Sequence, residues 1–224
     1  MKIRNAKGRK DENSGYIRLF DNIKLGQLLS KAQATVISNG TELERLLLKR
    51  TNNIPDLDEF IELATDGMQS DGVYVCAKAV VKKSRLTIPQ HEPDLLVFII
   101  QQKRLCKIIE LKDGDAFDTK KARGEGEQLK EYSEKFGAKI PFVTEYYICC
   151  FNQEDKNAIM TGFKGVFSME HIMTGRELCS ILNIDYSEIV NERKADAKDN
   201  FTYFVSELLK IPEVKVEIQK QLKK

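Results

Sequence analysis

Three residues have types and spacing that suit chemistry. Asp94 opens the apolar run 95–100, and Glu110 and Lys112 stand two apart at the end of a second apolar run. Side chains at i and i+2 of a strand point to one face, so Glu110 and Lys112 project together. If the two runs pair as an antiparallel hairpin, Asp94 joins that face only when its partner is Glu110 or Lys112. That condition needs a loop of three or five residues, or a compensating bulge. Two carboxylates a few ångströms apart repel each other and normally bind a hard divalent cation such as Mg²⁺. Such a cation acts as a Lewis acid on a phosphodiester and lowers the pKa of a water. A lysine beside it holds that water or steadies the charge that develops on the phosphoryl oxygens. A Pro-Asp dipeptide or a Glu-x-Lys triplet alone is usually a charged strand edge. Together, 16 positions apart at the ends of two apolar strands, they are costly unless paired or bound to metal.

The elements that must position these residues follow from periodicity. Residues 89–93 form a loop, 94–100 a strand buried on both faces, 101–104 a polar turn and 105–112 a second strand. A helix over 119–136 buries Ala122, Leu129, Tyr132 and Phe136, and 142–151 reads as a further strand. Upstream, a helix over 25–37 carries Leu25, Leu28, Leu29, Ala32 and Val36 on one face and is broken by Asn39-Gly40. Thr41 to Glu44 then has the form of a capping box, opening a helix through Lys49. A short helix covers 56–64, and a strand covers 73–81, ended by the charged turn 82–85. Downstream, 173–182 is read as a helix, and 201–222 as a helix interrupted at Pro212. The order gives a mixed sheet with helices on its faces, an α/β sandwich.

Length and composition exclude several classes. The 224 residues suit a single domain, with core about 40–185, a basic amino-terminal arm and a helical carboxy-terminal extension. The longest purely apolar run is six residues, far short of the roughly 20 that span a bilayer, so no membrane role is expected. The amino terminus has no apolar stretch, and the five cysteines are odd in number with no CxxC pair. They read as reduced core residues of a cytoplasmic protein. Net charge is near zero but uneven: residues 1–50 carry +6 and residues 51–100 carry −4. Lys2, Arg4, Lys7, Arg9 and Lys10 suit phosphates or a solvated tail, whereas the acidic segment is where metal would be held.

Pro93-Asp94 followed by Glu110-Leu111-Lys112 resembles the signature of the PD-(D/E)XK nucleases. The continuation from Asp113 to Glu125, and less specifically Met173 to Cys179 with Leu182 to Asp185, resembles type II restriction endonucleases. The resemblance covers about residues 40–185. It implies an αβββαβ core with helical additions at both ends, Mg²⁺-dependent cleavage of double-stranded DNA at a short site, and commonly a homodimer, with no nucleotide cofactor. By position it makes Asp94 and Glu110 metal ligands, the main-chain carbonyl of Leu111 a further ligand, and Lys112 the water-positioning lysine. Many members add a glutamate from the preceding helix. Glu44 in Gly40-Thr-Glu-Leu-Glu44 matches that G-x-x-x-E pattern, against its competing use in the capping box, with Glu42 as the alternative ligand.

Other residues have two uses each. Lys120, Lys121 and Arg123 open the helix after the signature and suit phosphates near the cut, or a solvated face. Asp115 and Asp118 are further acidic candidates, with Asp118 more simply a helix N-cap. His91 is a proton shuttle or a polar loop residue; Tyr146 and Tyr147 are core aromatics, and His171 has no assigned role. The amino-terminal arm, the 82–85 turn and residues 152–164 are candidate DNA readers. Gln128 and Tyr132 spell Q-x-x-x-Y, a feature of exonucleases resembling the RecB nuclease domain. A sequence-specific endonuclease is the leading expectation. An exonuclease of repair or recombination is the first alternative, and a catalytically silent DNA-binding protein of the same fold the second.

Overall fold

The computed structural model describes residues 1–9, 12–89, 91–115 and 119–223. Lys10, Asp118 and the helix N-cap expected at Asp118 lie outside them. The sheet has the order β1 (Gly72–Ala77), β2 (Leu95–Ile100), β3 (Arg104–Lys112), β4 (Val143–Cys150), β5 (Ile172–Thr174). The first three strands are antiparallel, and β4 and β5 run parallel to β3, so the sheet is mixed as expected. Ile100 pairs with Arg104, which leaves a three-residue turn, one of the two odd loop lengths that the hairpin argument requires.

The chain forms two compact units, residues 43–186 and residues 1–42 with 187–224. In the first, alternation sends Leu96, Phe98, Ile100, Cys106 and Ile108 to one face of the sheet. Helix α3 (Leu57–Thr65) and helix α5 (Thr119–Gly137) supply their partners, Phe60 and Ile61 from α3 and Ala122, Leu129, Tyr132 and Phe136 from α5. Phe60 meets Phe98 at 5.0 Å between ring centroids. Each such side chain contributes about 1.5–3 kcal/mol by leaving water. This core fixes the hairpin whose open end carries the signature residues. The same unit holds α4 (Lys78–Val81), α6 (Lys156–Gly162) and α7 (Gly175–Ile181).

In the second unit, α1 (Gly15–Phe20) packs Ile17 so tightly on Gly26 that a Cβ there would lie 2.4 Å from Ile17 Cγ1. The basic arm is partly spent on helix α8 (Tyr186–Leu209): the Met1 amino group lies 2.6 Å and Lys2 Nζ 3.7 Å from Asp196, and Arg4 pairs with Asp199. Helix α9 (Pro212–Gln221) takes Pro212 at its first turn, where a missing N–H costs nothing.

Four expectations are corrected. The break at Asn39-Gly40 and the capping box at Thr41 do not exist, because α2 runs unbroken over Ile23–Leu48. Exposed Gly40 weakens a helix by only about 1 kcal/mol, and burial of Leu43, Leu46 and Leu47 outweighs it. Val36, assigned to the buried face of that helix, is 68% exposed. The strand over 73–81 stops at Ala77, where the chain enters α4 although Val80 and Val81 are β-branched. The helix over 173–182 begins instead at Gly175. Residues Ile172–Thr174 join the sheet, and Thr174 and Glu177 form the capping box that opens α7.

Candidate active site

The site is built at the open end of the hairpin. Leu95 pairs with Ile109, so the next position outward sets Asp94 opposite Glu110, the register that the sequence demanded. Asp94 is buried at 9% exposure. Its Oδ2 accepts from the backbone N–H of Leu111 at 3.0 Å, which ties the carboxylate to the neighbouring strand. Its Oδ1 accepts from Lys78 Nζ at 3.0 Å.

Glu110 and Lys112 share one face of β3, and Lys112 Nζ donates to Glu110 Oε1 at 2.7 Å. The same ammonium donates to Glu125 Oε1 of α5 at 2.8 Å. Burial, and then the charge of Asp94, push the Glu110 carboxyl up to about 7, although Lys112 pulls the other way. Glu44, on the last turns of α2, is held above the usual carboxylate range by burial and by Asp94. Its electrostatic neighbours, Asp94 and Lys78, bring it into the cluster. The capping role that competed for Glu44 is gone, since the residue lies inside a continuous helix. Glu42, the alternative ligand, lies two residues earlier on the same helix.

Among the described residues, then, four carboxylates (Glu44, Asp94, Glu110, Glu125) face two ammonium groups (Lys78, Lys112). No three His, Cys, Asp or Glu side chains among the described residues stand close enough to hold a metal ion unaided. What the cluster offers is a surplus of negative charge around one facing carboxylate pair.

Two members were missed in the sequence. Lys78 was absorbed into the apolar run 73–81, yet Ala77 pairs with Leu95, so the next position puts Lys78 beside Asp94. Glu125 carried a readable signal. It stands three residues after Ala122 and four before Leu129, which places a carboxylate on the core stripe of α5.

No protein-family model matches the chain. The chain is 58% identical over 223 residues to the type II restriction enzyme HhaII of Haemophilus parahaemolyticus, an alignment covering 98% of each chain. The chain belongs to the type II restriction enzymes.

The remaining candidates of this restriction enzyme have these surroundings. Lys120, Lys121 and Arg123 are exposed on the first turns of α5. Asp115 accepts a hydrogen bond from Gln153 Nε2 at 2.6 Å. His91 Nε2 lies 4.0 Å from Glu131 on α5. His171 stacks on Tyr146 with ring centroids 3.8 Å apart, and its Nδ1 lies 3.0 Å from the Tyr146 carbonyl. Tyr147 is only half-buried and hydrogen-bonds Glu145. Of the exonuclease pattern, Tyr132 is fully buried in the core while Gln128 is exposed. The 82–85 turn is tied down, with Ser84 Oγ donating to Asp58 at 2.6 Å and Arg85 paired with Glu62. All five cysteines are unpaired and buried, and burial pushes the thiols of Cys76, Cys150 and Cys179 up to about 12, away from nucleophilic use. Among the described residues no helix is long and apolar enough to cross a membrane.

Proposed function

We propose that this restriction enzyme hydrolyses phosphodiester bonds of double-stranded DNA with Mg²⁺ at the Asp94–Glu110 pair, working as a homodimer with one site per strand. The observation that carries the reading is the facing carboxylate pair with a largely buried lysine beside it, in a cluster that among the described residues holds four carboxylates and two ammonium groups. The donor set fits the ion. Mg²⁺ is usually held by one or two carboxylates with water and substrate phosphate completing its sphere, so a cage of three protein ligands is not needed. Asp94 and Glu110 would hold it, with the Leu111 carbonyl as a further donor, while Glu44 would add negative charge from the neighbouring helix. When bound, it would supply Lewis-acid stabilisation of the phosphoryl charge.

The chain's own groups do the rest. The Leu111 N–H holds Asp94 in place, so this carboxylate needs no reordering when substrate arrives. Glu110 and Glu125 hold the Lys112 ammonium from two sides, aimed along the sheet face. There it would donate to the attacking water or to a non-bridging phosphate oxygen. Lys120, Lys121 and Arg123 would contact the flanking backbone and add affinity without sequence information. Two copies related by a two-fold axis would meet a palindromic site symmetrically.

Incubation with closed circular and linear phage DNA, with Mg²⁺ or EDTA, tests the reading alongside Glu110→Ala. Discrete fragments that need Mg²⁺ and vanish in the variant are expected, and their map gives the recognition site. Degradation of linear DNA only would mean an exonuclease. Sedimentation of the free protein tests the dimer.

A further inference from the structure

Lys78 is the cation of the cluster that the signature does not explain. It opens α4 just past the last β1–β2 pair, and its backbone N–H donates to the Asp94 carbonyl at 3.1 Å. Its ammonium donates to Asp94 Oδ1 at 3.0 Å. The base of the side chain is thus fixed by the main chain, while the head is held by a charge that can be exchanged. The Lys78 side chain is 36% exposed, against 16% for Lys112, so it is the more open of the two. Glu44 and Glu110 are also within its electrostatic reach, so one ammonium serves three carboxylates.

We propose that Lys78 is an exchangeable counterion: it competes with the divalent cation for Asp94 and, once displaced, pairs with a phosphate of bound DNA. The proposal rests on the reading of Asp94 and Glu110 as the cation site. A cation that takes Asp94 as ligand puts two positive charges beside the Lys78 ammonium, and like charges at that range oppose each other. Each therefore weakens the other's hold on the carboxylate. A DNA phosphate gives the released ammonium a new anion, and the four-carbon stem lets the head travel while its base stays fixed. Cation and DNA then favour each other's binding, and by linkage each raises the other's affinity by the same factor.

The test uses Mn²⁺ with the full-length protein and no DNA, counting free ion by electron paramagnetic resonance. Lys78→Met is expected to bind Mn²⁺ roughly tenfold tighter than wild type, the scale on which one neighbouring charge moves a carboxylate. Lys78→Arg keeps the charge and should stay within about threefold of wild type, and Asp94→Asn should abolish the site in either background. In a second arm, Ca²⁺ is titrated with plasmid DNA and retention on filters is measured. Wild type should gain about tenfold in DNA affinity with Ca²⁺, and Lys78→Met under about threefold. If Lys78→Met folds, shown by an unchanged melting profile, and binds Mn²⁺ no tighter than wild type, the proposal is overturned. A wild type that still cuts DNA in that case leaves the site reading intact. A wild type that neither cuts DNA in Mg²⁺ nor binds Mn²⁺ through Asp94 overturns both.

Discussion

Strand β3 carries two lysines on opposite faces, and both are nearly enclosed: Lys107 is 13% exposed and Lys112 16%. On its face Lys107 pairs with Glu145, directly across the parallel ladder, and Nζ lies 3.2 Å from the Tyr147 hydroxyl. Tyr147 in turn donates to Glu145 Oε2 at 2.8 Å, and the ammonium sits 4.8 Å from the tyrosine ring centroid. One cation meets one anion, and the Glu145 carboxyl is held below its ordinary range because Lys107 and Tyr147 donate to it. On the other face, among the described residues, Lys112 and Lys78 share four carboxylates, and Glu110 is pushed up to about 7 by burial and by Asp94. The lysines are enclosed alike, but Glu110 is 14% exposed and Glu145 37%, so deeper burial together with the charge of Asp94 turns the carboxyl shift the opposite way. A balanced pair is scaffold, since breaking it strands the enclosed lysine. A buried cluster with surplus charge is unfinished, and under the proposed function a divalent cation would complete it.

The sharpest way to break that comparison is to neutralise one glutamate on each face. Glu110→Gln should lower the DNA cleavage rate by about a thousandfold, the scale of losing one preorganised electrostatic partner of the reacting group. Glu145→Gln should leave the rate within about threefold, because no group on that face belongs to the cluster. Cleavage of closed circular DNA under single-turnover conditions reads both, and equal losses would erase the distinction. A smaller effect is expected at Glu125, which touches Lys112 and, among the described contacts, none of the other signature residues. Glu125→Gln should lower kcat by about tenfold through a looser ammonium, with KM nearly unchanged. Partial recovery in Glu125→Asp would mark positioning of Lys112, and a fall in melting temperature without a change in kcat would mark packing alone.

The same contrast explains what was legible in the sequence. Asp94, Glu110 and Lys112 could be read because period-two alternation and an odd loop length are local facts about one hairpin. Lys78 could not, because its place beside Asp94 depends on the register of β1 with β2, and residues 78–94 connect them without a tight turn to fix that register. The β-branched Val80 and Val81 also pointed to a strand, and the turn that lifts Lys78 toward Asp94 won over propensity. Glu44 stayed ambiguous because Gly40 and Thr41 make a plausible helix start; tertiary burial of Leu43, Leu46 and Leu47 decided it. Strand β5 is three residues long, too short for any periodicity to register.

Stability provides the next test. Glu145→Gln leaves the Lys107 ammonium nearly enclosed with only a tyrosine hydroxyl and a neutral amide, and should cost about 1–2 kcal/mol in urea unfolding. Glu110→Gln should cost less or stabilise the metal-free protein, since it removes an anion from a cluster that already has too many.

The smallest expected effect is in pH dependence, and there the two faces differ in sign. Glu145 titrates below its ordinary value in the fold, so its contribution is present above the unfolded carboxylate value and lost as pH falls through the lowered one. Glu110 titrates at about 7 in the fold and near the ordinary carboxylate value of 4.5 when unfolded. Between those values the native state binds more protons than the unfolded state, so metal-free stability falls as pH rises through that window. Below it, Glu110 is protonated in both states and contributes no further slope. In EDTA, with a thermal melt as readout, wild type should melt at a lower temperature at pH 7.5 than at pH 5. Glu110→Gln should flatten that decline, and Mg²⁺ at pH 7.5 should restore it in wild type by binding the native state. A decline that survives Glu110→Gln would place the titrating group elsewhere and remove the pH argument for surplus charge at this site.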